Sequence, residues 1–459
     1  MRPLRPLFFA TLLVLTSFTA QAANSYYVSV SGSDSNPGTD ALPFRTITKA
    51  VNLLDEPDDR IYVKAGVYNE RVLVWGKSGS ATAPIRIQGY GSDVPIIDGT
   101  GITGNGLVEI GGGSSYINFD QFEVRNATAG GIFIYNANNI KIRWNNVHGS
   151  YSNGISAVSA SSSPRGTTHS IRIEGNRVWD NVRQNVTGTA TSWQQGLSAF
   201  RANNVQIIGN SVYENYGEGV DYIMSSNGLI SDNRIRDNFS VNLYLDNATD
   251  TVVERNFIHS YGYTQFYRNG NPAGGIGMAN EYYYENSVQS QNPLNHLKIV
   301  NNIILRASNG ITYGNYEYDG GLHDTLIANN TVYGSKYYNL YIQNGRNGSN
   351  VHDTTRVENN IFVQDLSTKN YASAPTVGIT YAYNAWYGGN SSSRINGGGD
   401  VNADPLFAQL GGWDDYDYKL TATSPCINTG TTQTAFTNDF FSSSAVRSAG
   451  TWDIGADEY

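Results

Sequence analysis

The sequence predicts an all-β chain wound into a parallel β-helix, and two recurring patterns predict it. The first is a set of segments of alternating apolar residues that end in Asn: Ile140-Lys141-Ile142-Arg143-Trp144-Asn145, Ile171-Arg172-Ile173-Glu174-Gly175-Asn176 and Val205-Gln206-Ile207-Ile208-Gly209-Asn210. These continue through Asn233 and Asn256 to Asn302, Asn330 and Asn360, at intervals of 31, 34, 23, 23, 46, 28 and 30 residues. A minimum near 23 with insertions above it marks a solenoid. The second pattern lies between them: period-2 strands such as Gly131-Ile132-Phe133-Ile134, Gly196-Leu197-Ser198-Ala199, Gly219-Val220-Asp221-Tyr222 and Asn242-Leu243-Tyr244-Leu245. With turns rich in Gly, Asn and Ser, each repeat is a coil of two or three short strands. The recurring Asn is read as structural, its amide bonding from coil to coil at a turn.

In chain order, residues 1–22 read as a secretory leader. Arg2 and Arg5 precede an apolar run from Leu7 to Leu15, and Ala20-Gln21-Ala22 has the small-x-small form of a cleavage site. Residues 23–60 hold an entry strand and the one strong helical pattern, from Phe44 to Leu54, expected to plug one end of the coil stack and hide its edge. The coils occupy residues 61–401. From about Asn402 the repeat fades into a tail, residues 402–459, expected to cover the other end.

Composition limits the partners. Charged residues are 15% of the 459, against roughly 25% in an average soluble domain. The formal charge of −9, or −11 without Arg2 and Arg5, argues against nucleic acid, which needs concentrated cations. No stretch beyond the leader is long and apolar enough to span a bilayer, so the mature protein is expected to be soluble; the leader implies secretion, and a monomer is expected. The single cysteine, Cys426, excludes an internal disulfide framework.

The opening Tyr26-Tyr27-Val28-Ser29-Val30-Ser31-Gly32-Ser33-Asp34-Ser35-Asn36-Pro37-Gly38-Thr39, the stretch Ile61-Tyr62-Val63-Lys64-Ala65-Gly66-Val67-Tyr68 and the tail motifs Asp404-Pro405-Leu406-Phe407 and Asp453-Ile454-Gly455-Ala456-Asp457-Glu458 resemble the exported right-handed parallel β-helix superfamily of polysaccharide-active proteins. That group includes pectate-lyase-like lyases, alginate epimerases and glycoside hydrolases. The resemblance implies the right hand, export and a polysaccharide partner, and leaves the reaction open.

Chemistry is therefore sought on the outward face. With the strands in register, the third positions run Phe133, Ser156, Ser198, Asp221, Tyr244, Gly277 and Thr312, and the fifth run Tyr135, Val158, Phe200, Ile223, Asp246, Ala279 and Gly314. Asp221 and Asp246 emerge on adjacent coils, with Cβ atoms roughly 8 Å apart by strand geometry. That suits a general acid and a general base with a water between them, for which about 6.5–9.5 Å is needed. Glu218 precedes Asp221 in a small-residue turn, and Arg201 ends the previous strand. Glu281, Tyr282 and Tyr283 fall in the 46-residue interval with Tyr267; with Tyr244 they are expected to bind sugar, because flat rings suit the apolar faces of sugars.

Blander readings stand beside these: Asp221 and Asp246 as solvated strand residues, Glu218 with Arg201 as a surface ion pair, and the tyrosines as packing for the insertion. His169, His259, His296, His323 and His352 have no metal-ligand spacing and read as turn or surface residues.

Three functions compete. Hydrolysis uses Asp221 with Asp246 or Glu218 and needs no cofactor. β-Elimination on a uronate polymer needs a base and a cation. In related lyases the base is often Lys or Arg, with aspartates holding Ca²⁺; no Lys occurs between Lys141 and Lys298, so Arg201 would serve, with Asp221, Asp246 and Glu218 as Ca²⁺ ligands. The third is a glycan-binding or surface β-helix that cleaves nothing. The adjacent acids favour an enzyme, and hydrolysis slightly over elimination.

Overall fold

The computed structural model describes residues 23–285, 288–290, 293–444, 447 and 450–459; the leader expected at residues 1–22 lies outside them. Among the described residues the coils build three long parallel sheets of thirteen, eleven and twelve strands, each strand pairing with its equivalent one coil away. This is a parallel β-helix, and its interior is a continuous column of apolar side chains, among them Ile132, Ile155, Leu197, Val220, Leu243, Ile276 and Ile311. No helix among the described residues is long and apolar enough to cross a membrane.

The Asn ladder follows from backbone chemistry. At each of these turns the chain leaves a strand, and its peptide groups lose their sheet partners while remaining buried, a cost unless a side chain replaces them. Each Asn supplies both halves of the replacement. Asn176 Oδ1 accepts from the backbone N and Nδ2 of Asn145 at 2.9 and 3.0 Å, while its own Nδ2 donates to Ile142 O at 2.8 Å. The same exchange links Asn210, Asn233, Asn256, Asn302, Asn330 and Asn360, and runs on to Asn384. A second, shorter ladder, Asn181, Asn215 and Asn238, stands at another corner. Its members each lie five residues after a first-ladder Asn, a spacing visible in the sequence that the single-ladder reading missed.

The predicted helix forms over Ile47–Asn52, shorter than its apolar pattern, with Thr46 capping it by accepting from Lys49 N. Glu70 also accepts from Ile47 N and Thr48 N at 2.8 and 2.9 Å. Ile47, Ala50 and Val51 are buried.

The tail behaves differently from the expectation. The end of the stack is met by short bridges from Gly398 and Val401, whereas much of residues 402–459 lies along the flank of the later coils. There Phe407, Tyr418, Leu420 and Ile454 bury the outward-facing Ile303, Leu305, Ile361 and Val363. Those coils present apolar residues outward, so the tail is held laterally. The residue before the ladder Asn helps: Asn329 Nδ2 donates to Asp453 O and Asn359 Nδ2 to Thr431 O.

Candidate active site

The outward columns stand in the register read from the sequence. Ser198 is opposite Asp221, Asp221 opposite Tyr244, and Tyr244 opposite Gly277; Ile223 is opposite Asp246. Outward does not mean solvated here, because the long inserts fold over the sheet. Asp221 and Asp246 are both 0% exposed, which removes their reading as solvated strand residues. Above them lies a cleft of about 670 Å³. Glu218, Asp221, Tyr244, Glu281 and Tyr283 line it, together with Trp193, Arg268, Tyr316 and Tyr337.

Each acid has a distinct environment. Asp221 stands beside the carboxyl of Glu218, whose charge acts on it. Among the described residues neither Asp221 oxygen has a hydrogen-bond partner, and ionising two adjacent buried carboxyls together is disfavoured. Burial pushes Asp221 well above the usual carboxylate range, and the charges of Glu218, Asp246 and Glu281 add to it. Burial also raises Glu218, against the pull of Asp221, the Trp193 indole and the Arg268 charge.

On the next coils, Tyr244 Oη donates to Glu281 Oε1 at 2.6 Å. Glu281 is raised by burial despite that bond. Asp246 sits behind this group: its Oδ1 accepts from Glu281 N at 3.2 Å and its Oδ2 from the Tyr283 hydroxyl. Burial and the Glu281 charge push Asp246 well up. Asp246 thus grips the segment that carries Glu281, and Glu281 is the acid that faces the cleft.

Other expected residues are placed elsewhere. Arg201 is six positions along from Gln195, the cross-strand partner of Glu218; at about 3.3 Å per residue that is ~20 Å, too far for an ion pair with Glu218. Its Nη2 donates to Ser163 O at 2.7 Å, outside the cleft lining. Tyr282 stacks on Tyr318 with centroids 5.1 Å apart, packing the insert. Tyr267 follows the one-turn helix Thr264–Phe266 and does not line the cleft. Two of the histidines read as surface residues are buried, His259 and His352; burial and Arg236 lower His259 to about 3, so it is neutral.

Reasoning from the sequence missed Trp193 and Arg268. Both sit in intervals longer than the minimum repeat, which was the available signal. The Arg268 guanidinium lies 4.6 Å from the Trp193 ring centroid, and its Nη1 donates to Ser240 Oγ. The neighbouring Asn271 Oδ1 accepts from Lys336 Nζ at 2.6 Å and Tyr337 Oη at 2.7 Å, tying that wall to a later coil.

Glu218 and Asp221 face each other, and both oxygens of Asp246 are engaged. Among the described residues no three Asp, Glu, His or Cys side chains are placed to hold an ion.

Three parallel sheets wound in coils, with an acid-lined cleft on one outer face, define a right-handed parallel β-helix protein. Residues 26–315 match the family model described as "Pel9A-like, right handed beta helix region", and the chain belongs to that family. Among solved structures, the crystal structure of pectate lyase Pel9A is 17% identical with a TM-score of 0.54, over 96% of this chain and 97% of that one. The structure of XylC in complex with xylose is 13% identical with a TM-score of 0.62, over 95% and 98%. At these identities the likeness is one of fold. No curated protein matches the sequence.

Proposed function

We propose that the protein is an exported glycoside hydrolase, with the Glu218–Asp221 pair as proton donor and Glu281 as the opposing carboxylate. The observation that carries this is the complete burial of Asp221 in the cleft wall beside Glu218, with neither Asp221 oxygen hydrogen-bonded among the described residues. A carboxyl that is buried, without an N–H or hydroxyl donor among the described residues, and beside a second carboxyl is held protonated at a pH where free acids are ionised. Such a group can protonate a glycosidic oxygen as the bond breaks. Glu281, oriented by Tyr244, is the candidate to activate water or stabilise positive charge on the sugar. Asp246 acts through Tyr283 and the Glu281 N–H as a positioning residue. The solved neighbours, a pectate lyase and a xylose complex, are consistent with a carbohydrate substrate.

Elimination is the second reading, favoured by the position of Arg268, a cleft-lining guanidinium. One experiment separates the two. The purified protein is incubated with neutral and uronate polysaccharides, with and without a Ca²⁺ chelator, and reducing ends are read alongside the ultraviolet absorbance of unsaturated uronate. Reducing ends without absorbance, insensitive to chelator, are expected. Absorbance rising with reducing ends overturns hydrolysis in favour of elimination, and no product from any polymer overturns both.

A further inference from the structure

The outer face that carries the acids continues over several coils toward the N-terminus. In its fifth-position column Trp75, Tyr135 and Phe200 alternate with Gly111, Val158 and Ile223 in direct cross-strand register, leading to Asp246. Neighbouring strands are about 4.8 Å apart, so a ring recurs every ~10 Å, and Trp75 lies six spacings, about 29 Å, from Asp246.

The rings are presented outward. Trp75 is 47% exposed and rests on glycine backbone: an added Cβ at Gly111 would come within 3.2 Å of the indole, and at Gly112 within 2.6 Å. Only glycine leaves room for the ring to lie there. Tyr135 stacks on Phe133 with centroids 5.4 Å apart at 23°. Phe200 meets Tyr283, the ring over Asp246, at 5.8 Å. Trp75, Tyr135, Val158 and Phe200 all keep part of their surface, and the column holds no charged residue before Asp246.

We propose that this strip is a distal binding track for an extended, uncharged β-1,4-linked glycan lying along the coil axis. In such a ribbon-like chain successive sugars are flipped, so one face returns every second unit, a repeat close to two strand spacings. Every second sugar then meets a ring, and aromatic faces suit the apolar face of a pyranose. Helical α-linked chains do not keep this register, and a polyanion finds no cation on the column. The inference deepens the hydrolase reading by naming a substrate class, and rests on it.

The test is affinity electrophoresis through gels containing hydroxyethylcellulose, glucomannan or, as control, a soluble α-1,4-glucan. Glu281→Gln protein is used so that the gel is not degraded. Retardation by one or both β-1,4 glycans and not by the α-glucan is expected. Trp75→Ala in that background should weaken it about fivefold, Trp75→Tyr should retain most of it, and both should unfold at the parent temperature. Equal retardation of Trp75→Ala and its parent, retardation by the α-glucan alone, or none in any gel overturns the track. Ring-dependent retardation with no polymer cleaved by the unsubstituted protein keeps the track and removes the hydrolase reading. Cleavage with undiminished binding by Trp75→Ala does the reverse.

Discussion

Tyr244 and Glu281 are 37 residues apart in the chain, yet Tyr244 Oη donates to Glu281 Oε1 at 2.6 Å. The bond joins a side chain fixed on a strand to one on an insert that follows the next strand. A glutamate at the start of a long loop would otherwise sample many rotamers; this one is held at the cleft by a half-buried hydroxyl.

Tyr244→Phe removes that donor and little volume. A hydrogen bond to a charged group contributes about 1.5–3 kcal/mol, so kcat should fall about tenfold or more. Steady-state kinetics on a cleaved polysaccharide check this, with KM expected to change less than kcat. A loss confined to KM assigns Tyr244 to binding.

Asp221→Asn should abolish turnover and raise stability at neutral pH. Burial and neighbouring acids hold the folded-state pKa of Asp221 above its unfolded value. The protonated folded form is therefore favoured; the stabilising contribution is complete below about pH 4 and is lost as pH rises through the folded value. At pH 7 keeping these acids together destabilises the fold, and an amide at 221 relieves it by donating to Glu218. Thermal unfolding should shift up by roughly 1–4 °C at pH 7 and much less at pH 4. A lower unfolding temperature at pH 7 assigns Asp221 to the scaffold.

Asn233→Ala breaks the first ladder at mid-stack. It strips the bonds that Asn210 N and Nδ2 make to Asn233 Oδ1, and the one from Asn233 Nδ2 to Ile207 O. Several buried groups lose partners at about 1–3 kcal/mol each, so urea unfolding should show a loss of about 3 kcal/mol or more. A change below 1 kcal/mol would mean that water replaces the amide.

The coil repeat, the ladder Asn, the short helix and the strand register were legible from the sequence because they are local. They depend on side-chain period, on small turn residues, and on an amide able to both donate and accept at a bend. Asp221 and Asp246 were found for the same reason, since register alone fixes which column a strand residue joins. Tertiary structure decided what covers those columns. The inserts that bring Trp193, Arg268, Glu281 and Tyr283 over the sheet carry no periodicity, so nothing in their order says where they land. Burial raised the pKa of two outward aspartates, placed Asp246 behind Glu281, left Arg201 outside the cleft and laid the tail along the flank. A carboxyl's protonation depends on the water and charge around it in three dimensions, and a linear sequence states neither.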